Sequence, residues 1–119
     1  MAQPNIVNVT SILGTSVVTV LTTTLTTTIV TAAADKVNKM NLIRCTNITD
    51  TDRTVDFDVE VGGTHKKIAN EVTVPANSVV DIVDKTSSFY LMETDLLRGG
   101  ASAGSTIDVL VSFEILDDA

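Results

Sequence analysis

One cysteine, one histidine, two prolines and no tryptophan are spread over the 119 residues of this chain, and each shortage excludes something. A lone thiol, Cys45, closes no internal disulfide, so stability has to come from packing or assembly. A lone imidazole, His65, cannot supply the several nitrogen or sulfur ligands that a zinc site usually needs. Aromatic residues make up 3% of the chain and Tyr90 is the single tyrosine, which leaves little to stack on a sugar ring. Positive charge is scarce too: 8 Lys and Arg face 15 Asp and Glu, a formal net charge of −7. That balance argues against a nucleic-acid backbone or an anionic membrane as a partner. The longest apolar-looking stretch, Thr15 to Ala34, is too rich in hydroxyls for a membrane span. The opening Met-Ala-Gln-Pro lacks the basic region of a signal peptide, so synthesis in a cytoplasm is expected.

What is abundant is Val and Thr, β-branched residues that suit a pleated surface. Thr54-Val55-Asp56-Phe57-Asp58-Val59-Glu60-Val61 alternates strictly, giving a strand one dry face and one acidic, wet face. Gly62-Gly63 accepts the positive φ of a two-residue turn, so the chain folds back through Thr64-His65-Lys66-Lys67, with the lysines opposite the acidic face. The same alternation returns at Ile107, Val109, Val111, Phe113 and Ile115. Elsewhere the Thr-rich residues 10–34 read as strand, with a turn at Gly14 between two short pieces. Val37 to Ile48 carries apolar residues in both parities, as a strand covered on both faces would. Pro75 ends a strand, Val79 to Val83 starts another, and Phe89 to Met92 is a third before the turn Glu93-Thr94-Asp95. Gly99 to Ser105 reads as a small-residue loop. The sum is an all-β chain of about seven to nine short strands. It is expected to form a single antiparallel β-sandwich, jelly-roll or immunoglobulin-like, over residues 10–119. Residues 1–9 form either an N-terminal arm or an edge strand.

Candidates for chemistry are few. His65 in a Lys-flanked hairpin reads as a solvated surface residue, and Cys45 in its apolar context as a buried, inert thiol. Asp50-Thr51-Asp52 lacks the ligand pattern of an EF-hand, and Gly99 to Gly104 lacks the Gly-Lys-Ser/Thr ending of a phosphate loop. Asn8-Val9-Thr10 and Asn47-Ile48-Thr49 fit the glycosylation sequon but carry weight only in a secreted protein. No catalytic, cofactor-binding or metal-ligating residue is assigned, and no enzyme activity or cofactor is expected.

Several segments together resemble a family of small virion structural proteins of tailed bacteriophages, many from cyanobacterial and other marine hosts. They are Asn5-Ile6-Val7-Asn8-Val9-Thr10, Val37 to Ile43, Ile68 to Val83 with Val74-Pro75-Ala76-Asn77-Ser78, Phe89 to Arg98, and Asp108 to Ile115. In such proteins the Tyr-Leu segment runs into Glu-Gly-Asp, and here the glycine position is Thr94. The resemblance implies a non-enzymatic capsid decoration or cement protein on the outer head surface, made in the host cytoplasm. Its partners would be the major capsid protein or other virion proteins, and it would be a homo-oligomer. A neck, head–tail connector or tail component is the alternative, and a carbohydrate- or receptor-binding module a weaker one. Within the arm, Asn5, Ile6, Val7, Asn8 and Val9 are the candidate interface, able to add a strand to a neighbouring subunit.

Overall fold

A computed structural model describes residues 11–23, 25, 27–84 and 86–117. Nine strands follow one another: β1 Ser11–Val20, β2 Thr27–Thr31, β3 Lys36–Asn47, β4 Arg53–Val61, β5 Thr64–Val74, β6 Val79–Val83, β7 Phe89–Leu91, β8 Leu96–Ala101 and β9 Ile107–Asp117. One sheet has the order β1-β9-β3-β6, with β7 also paired to β3, and the other has the order β2-β8-β4-β5. Every strand pair is antiparallel. The chain crosses between sheets at nearly every connection and stays within one only at the β4–β5 hairpin and the β6–β7 step. That wrapped order makes the β-sandwich a jelly roll, so the choice left open by the sequence falls on this side.

The alternation in β9 puts Ile107, Val109, Val111 and Phe113 into the space between the sheets. Val55 and Phe57 of β4, Leu97 of β8, and Met40, Ile43 and Cys45 of β3 meet them there. The β4–β5 turn forms as the sequence indicates. Gly62 and Gly63 take φ of 58° and 84°, and Val61 pairs with Thr64. Pro75 follows the last residue of β5, and β6 occupies the expected residues.

Four expectations need correction. Gly14 is no turn: β1 pairs with β9 without a break from Ser11 to Val20, and Gly14 stands opposite Glu114. A Cβ there would meet nothing, so glycine is tolerated at this edge rather than required. Second, the mixed parity of β3 comes chiefly from a register shift between Met40 and Leu42, and cover on both faces holds only at its start, where adjacent Val37 and Asn38 are both buried. The extra residue, Asn41, turns the core-facing set from even to odd numbers, so Met40 and Ile43 both point inward. Third, Gly99 and Gly100 lie in β8, which continues to Ala101 before the chain turns. Fourth, the acidic face of β4 is not uniformly wet, because Asp58 is only 2% exposed.

The turn after β7 places a threonine in the left-handed region. Thr94 has φ 67°, Asp95 N donates to Met92 O at 3.0 Å, and Thr94 N donates to Ala32 O at 2.9 Å.

Candidate functional site

The five residues singled out in the N-terminal arm, Asn5 to Val9, lie outside the described residues. Among those described, the largest gathering of ionisable side chains lies on the outer face of the second sheet, where β8, β4 and β5 run side by side. Register places Asp58 between Arg98 and Lys67, and Glu60 opposite His65. Arg98 grips Asp58 with both ends of its fork: Nε donates to Oδ1 at 2.9 Å, and Nη2 donates to Oδ2. Those hydrogen bonds hold the Arg98 guanidinium above its ordinary pKa. His65 Nε2 is 3.0 Å from Glu60 Oε1, and its Nδ1 is 3.8 Å from Asp58 Oδ2. Lys67 Nζ is 4.0 Å from Asp56 Oδ1 and also donates to Asn70 Oδ1 at 2.9 Å. The expected Asp–Lys pairing therefore holds for Asp56 alone. Asp58 is answered by Arg98, a residue 40 positions away that strand alternation in the hairpin could not reveal.

This arrangement ties three strands together. His65 is an exposed surface residue, as its setting in the hairpin indicates, and its ring nitrogens lie beside two carboxylates.

The other polar candidates are structural as well. Asn47 is 1% exposed: its amide donates to Thr51 O at 2.8 Å and Val74 O at 3.0 Å, and its Oδ1 accepts from Thr49 N at 2.9 Å. The sequon asparagine thus fastens the β3–β4 loop and has no free amide to modify. Asp52 accepts from Ala76 N at 2.9 Å, closing the turn after Pro75. Glu93 accepts from Asp35 N at 2.7 Å and Asp95 from Met92 N at 3.1 Å, which locks the β7–β8 turn against the β2–β3 loop. Cys45 is buried in β3, and burial, helped by the charge of Asp81, pushes its thiol up to about 12. At neutral pH such a thiol is protonated and unreactive. No group of three or more His, Cys, Asp or Glu placed to hold a metal ion occurs among the described residues. No helix among them is long and apolar enough to cross a membrane.

The first sheet presents a different surface. Cross-strand register sets Val20, Asp108, Thr46 and Val79 in one row across β1, β9, β3 and β6, with Val18, Leu110, Arg44 and Asp81 in the next. Members of a row share a face, and here that face points to solvent. Val18 is 75% exposed, and Val20 and Val79 are exposed too. A groove of about 370 Å³ runs along Val18, Thr19, Thr46, Asp108, Val109 and Leu110. Arg44 and Asp81 pair at the edge of this ground, Nε to Oδ1 at 2.7 Å. Sequence reading missed the surface because the four strands that build it are far apart in the chain. A second cavity of about 220 Å³ opens between the sheets and is mainly apolar, with Val17, Ile29, Phe113 and Ile115 in its wall. Neither cavity is lined by the Asp58–His65 cluster.

No protein-family model matches the chain, and no curated protein matches it either.

Proposed function

We propose that this chain is a non-enzymatic structural protein of a tailed-bacteriophage particle, a decoration or cement protein added in many copies to the outer surface of the head. The observation that carries this reading is the set of exposed valines on the outer face of the β1-β9-β3-β6 sheet, Val18, Val20 and Val79, standing beside the groove among Thr46 and Asp108. Apolar side chains spread across a broad sheet face suit a protein contact better than a small-molecule site. The jelly roll is a scaffold used by viral capsid proteins, although it also carries lectins and enzymes, so the fold alone does not decide the matter. The resemblance of the sequence to phage virion proteins favours the first of these. The partner is the major capsid protein. A charge of −7 favours solubility in the cytoplasm until the protein meets the lattice.

The test is stoichiometry in purified particles. A copy number that is a simple fraction of the major capsid protein's supports the head assignment. A single ring's worth moves the chain to the neck or tail, and its absence from particles overturns the reading. A Val20→Asp/Val79→Asp double variant is expected to fold but no longer bind heads, because both positions are exposed and only the contact loses by the change.

A further inference from the structure

Among the described residues β1 forms an outer edge of its sheet, so its rim carries backbone groups that no described strand pairs. The other long edge strand is protected. β5 carries Lys66, Lys67 and Glu71, its pairing with β4 shifts register twice, and Glu71 takes φ 49°. The remaining edges are short: β2 and β6 have five residues each, β2 with a register shift and β6 with Asp81. β1 has none of these safeguards. Its ten residues, Ser-Ile-Leu-Gly-Thr-Ser-Val-Val-Thr-Val, include no charge and no proline. Ile12 is 62% exposed on the outer face and Leu13 is 60% exposed on the core side. A long, uncharged, apolar edge of this kind is a template for another strand.

We infer that the β1 edge pairs with β1 of a second copy of this chain, antiparallel about a twofold axis, so that two five-stranded sheets become one. Charge selects a copy of itself as the occupant. Two molecules of net charge −7 repel over most of their surfaces, and β1 is the one long edge where they meet without an ionisable group on either side. A twofold contact needs only one self-complementary strand, and this strand is self-complementary. Register follows from parity. Even residues of β1 share the outer face with Leu110, so across the axis even must meet even and odd must meet odd. With Thr15 on the axis, Ile12 meets Val18 on the outer face and Leu13 meets Val17 on the core side. Moving the axis one residue to Ser16 sets Val18 against Gly14 and Leu13 against Thr19, and keeps one apolar pair, Ile12 with Val20, in place of two.

The inference concerns the protein alone and stands whether or not it belongs to a virion. Sedimentation of the full chain is expected to give twice the 12.6 kDa monomer mass, falling to the monomer on dilution. Leu13→Lys/Val18→Lys is expected to keep the β-sheet spectrum and sediment as a monomer. Under mild oxidation Thr15→Cys is expected to form a covalent dimer where Thr19→Cys does not, while the native thiol stays buried. A full chain that is monomeric at every concentration, or an oligomer indifferent to the two lysines, overturns the proposal. So does a dimer that appears only after deletion of residues 1–10, because that segment would then hold the edge in place of a second copy.

Discussion

Gly99→Ala tests the packing of this jelly roll at its tightest point. Gly99 lies in β8, and a Cβ built on it would come within 2.8 Å of Phe57 Cε1 and 3.0 Å of both Ile29 Cδ1 and Leu21 Cδ2. Favourable carbon–carbon contact begins near ~3.5 Å, so three side chains would have to retreat by roughly 0.5–0.7 Å at once. Phe57 and Leu21 are fully buried, and interiors at crystal-like density leave such groups little room. Overpacking of this kind costs about 1–3 kcal/mol. Against it stands the ordinary benefit of alanine over glycine in a strand, about 0.5–1 kcal/mol. The net expectation is a loss of about 1–2 kcal/mol, which for a domain of this size lowers the melting temperature by roughly 4–8 °C. Thermal and urea unfolding followed by circular dichroism measure it. Gly14→Ala is the control, because nothing lies within 4 Å of a Cβ there, and it is expected to be neutral or slightly stabilising. Gly99→Ala combined with Phe57→Leu is expected to lose less than the sum of the single changes, since the leucine lacks the ring edge that the new methyl strikes. A Gly99→Ala protein as stable as the original, or strict additivity with Phe57→Leu, would refute the argument.

Arg98→Ala is expected to destabilise the domain more than the Arg98→Ala/Asp58→Ala double variant does, because the single change strands a buried carboxylate and the double change removes it; urea midpoints rank the two, and the reverse order would mean that Asp58 is solvated. Burial pushes the Cys45 thiol from its ordinary 9.0 up to about 12, so the stability that rests on its neutral form is whole below pH 9 and is lost as pH rises toward 12, on the order of 4 kcal/mol. The alkaline slope of wild-type stability is therefore expected to exceed that of Cys45→Ala, and equal slopes would count against the buried thiol. Thr94→Asn is expected to raise stability by about 0.5–1 kcal/mol, because asparagine tolerates the φ of 67° that a β-branched residue holds under strain. A lower melting temperature for that variant would show that threonine's side-chain contacts outweigh the strain.

The parts of the fold legible in the sequence are those decided by neighbours along the chain. Alternation and Gly62-Gly63 together set the β4–β5 hairpin, because a two-residue turn fixes the register of the strands it joins. Pro75 ends β5 because proline has no amide for the ladder. What stayed hidden was decided by neighbours across the sheets. Gly14 and Gly99 are both glycines near Thr- and Leu-rich residues, yet the first is an indifferent position in an edge strand and the second is a requirement of the core. The difference lies in Phe57, Ile29 and Leu21, which only the packed sandwich brings to Gly99. The register shift in β3 was equally invisible, since an extra residue and a strand covered on both faces produce the same mixture of parities.

The candidate surface shows the same division, and with it a contrast between the two sides of the sandwich. On the second sheet the acids of β4 each find a partner on a neighbouring strand: Asp56 with Lys67, Asp58 with Arg98, Glu60 with His65. Those pairs hold the side chains to each other and leave them less able to engage anything outside. On the first sheet Arg44 and Asp81 pair with each other, and the exposed valines Val18, Val20 and Val79 stand around Thr46 and Asp108 without an apolar cover. Apolar side chains left in water gain about 25 cal/mol for every square ångström that a partner covers, whereas satisfied ion pairs gain little from being covered and lose solvation. A partner therefore has more to gain on the β1-β9-β3-β6 side. The decoration role we propose needs that asymmetry, one face suited to the lattice and the other to solvent, and Val20→Asp/Val79→Asp is aimed at the first of them.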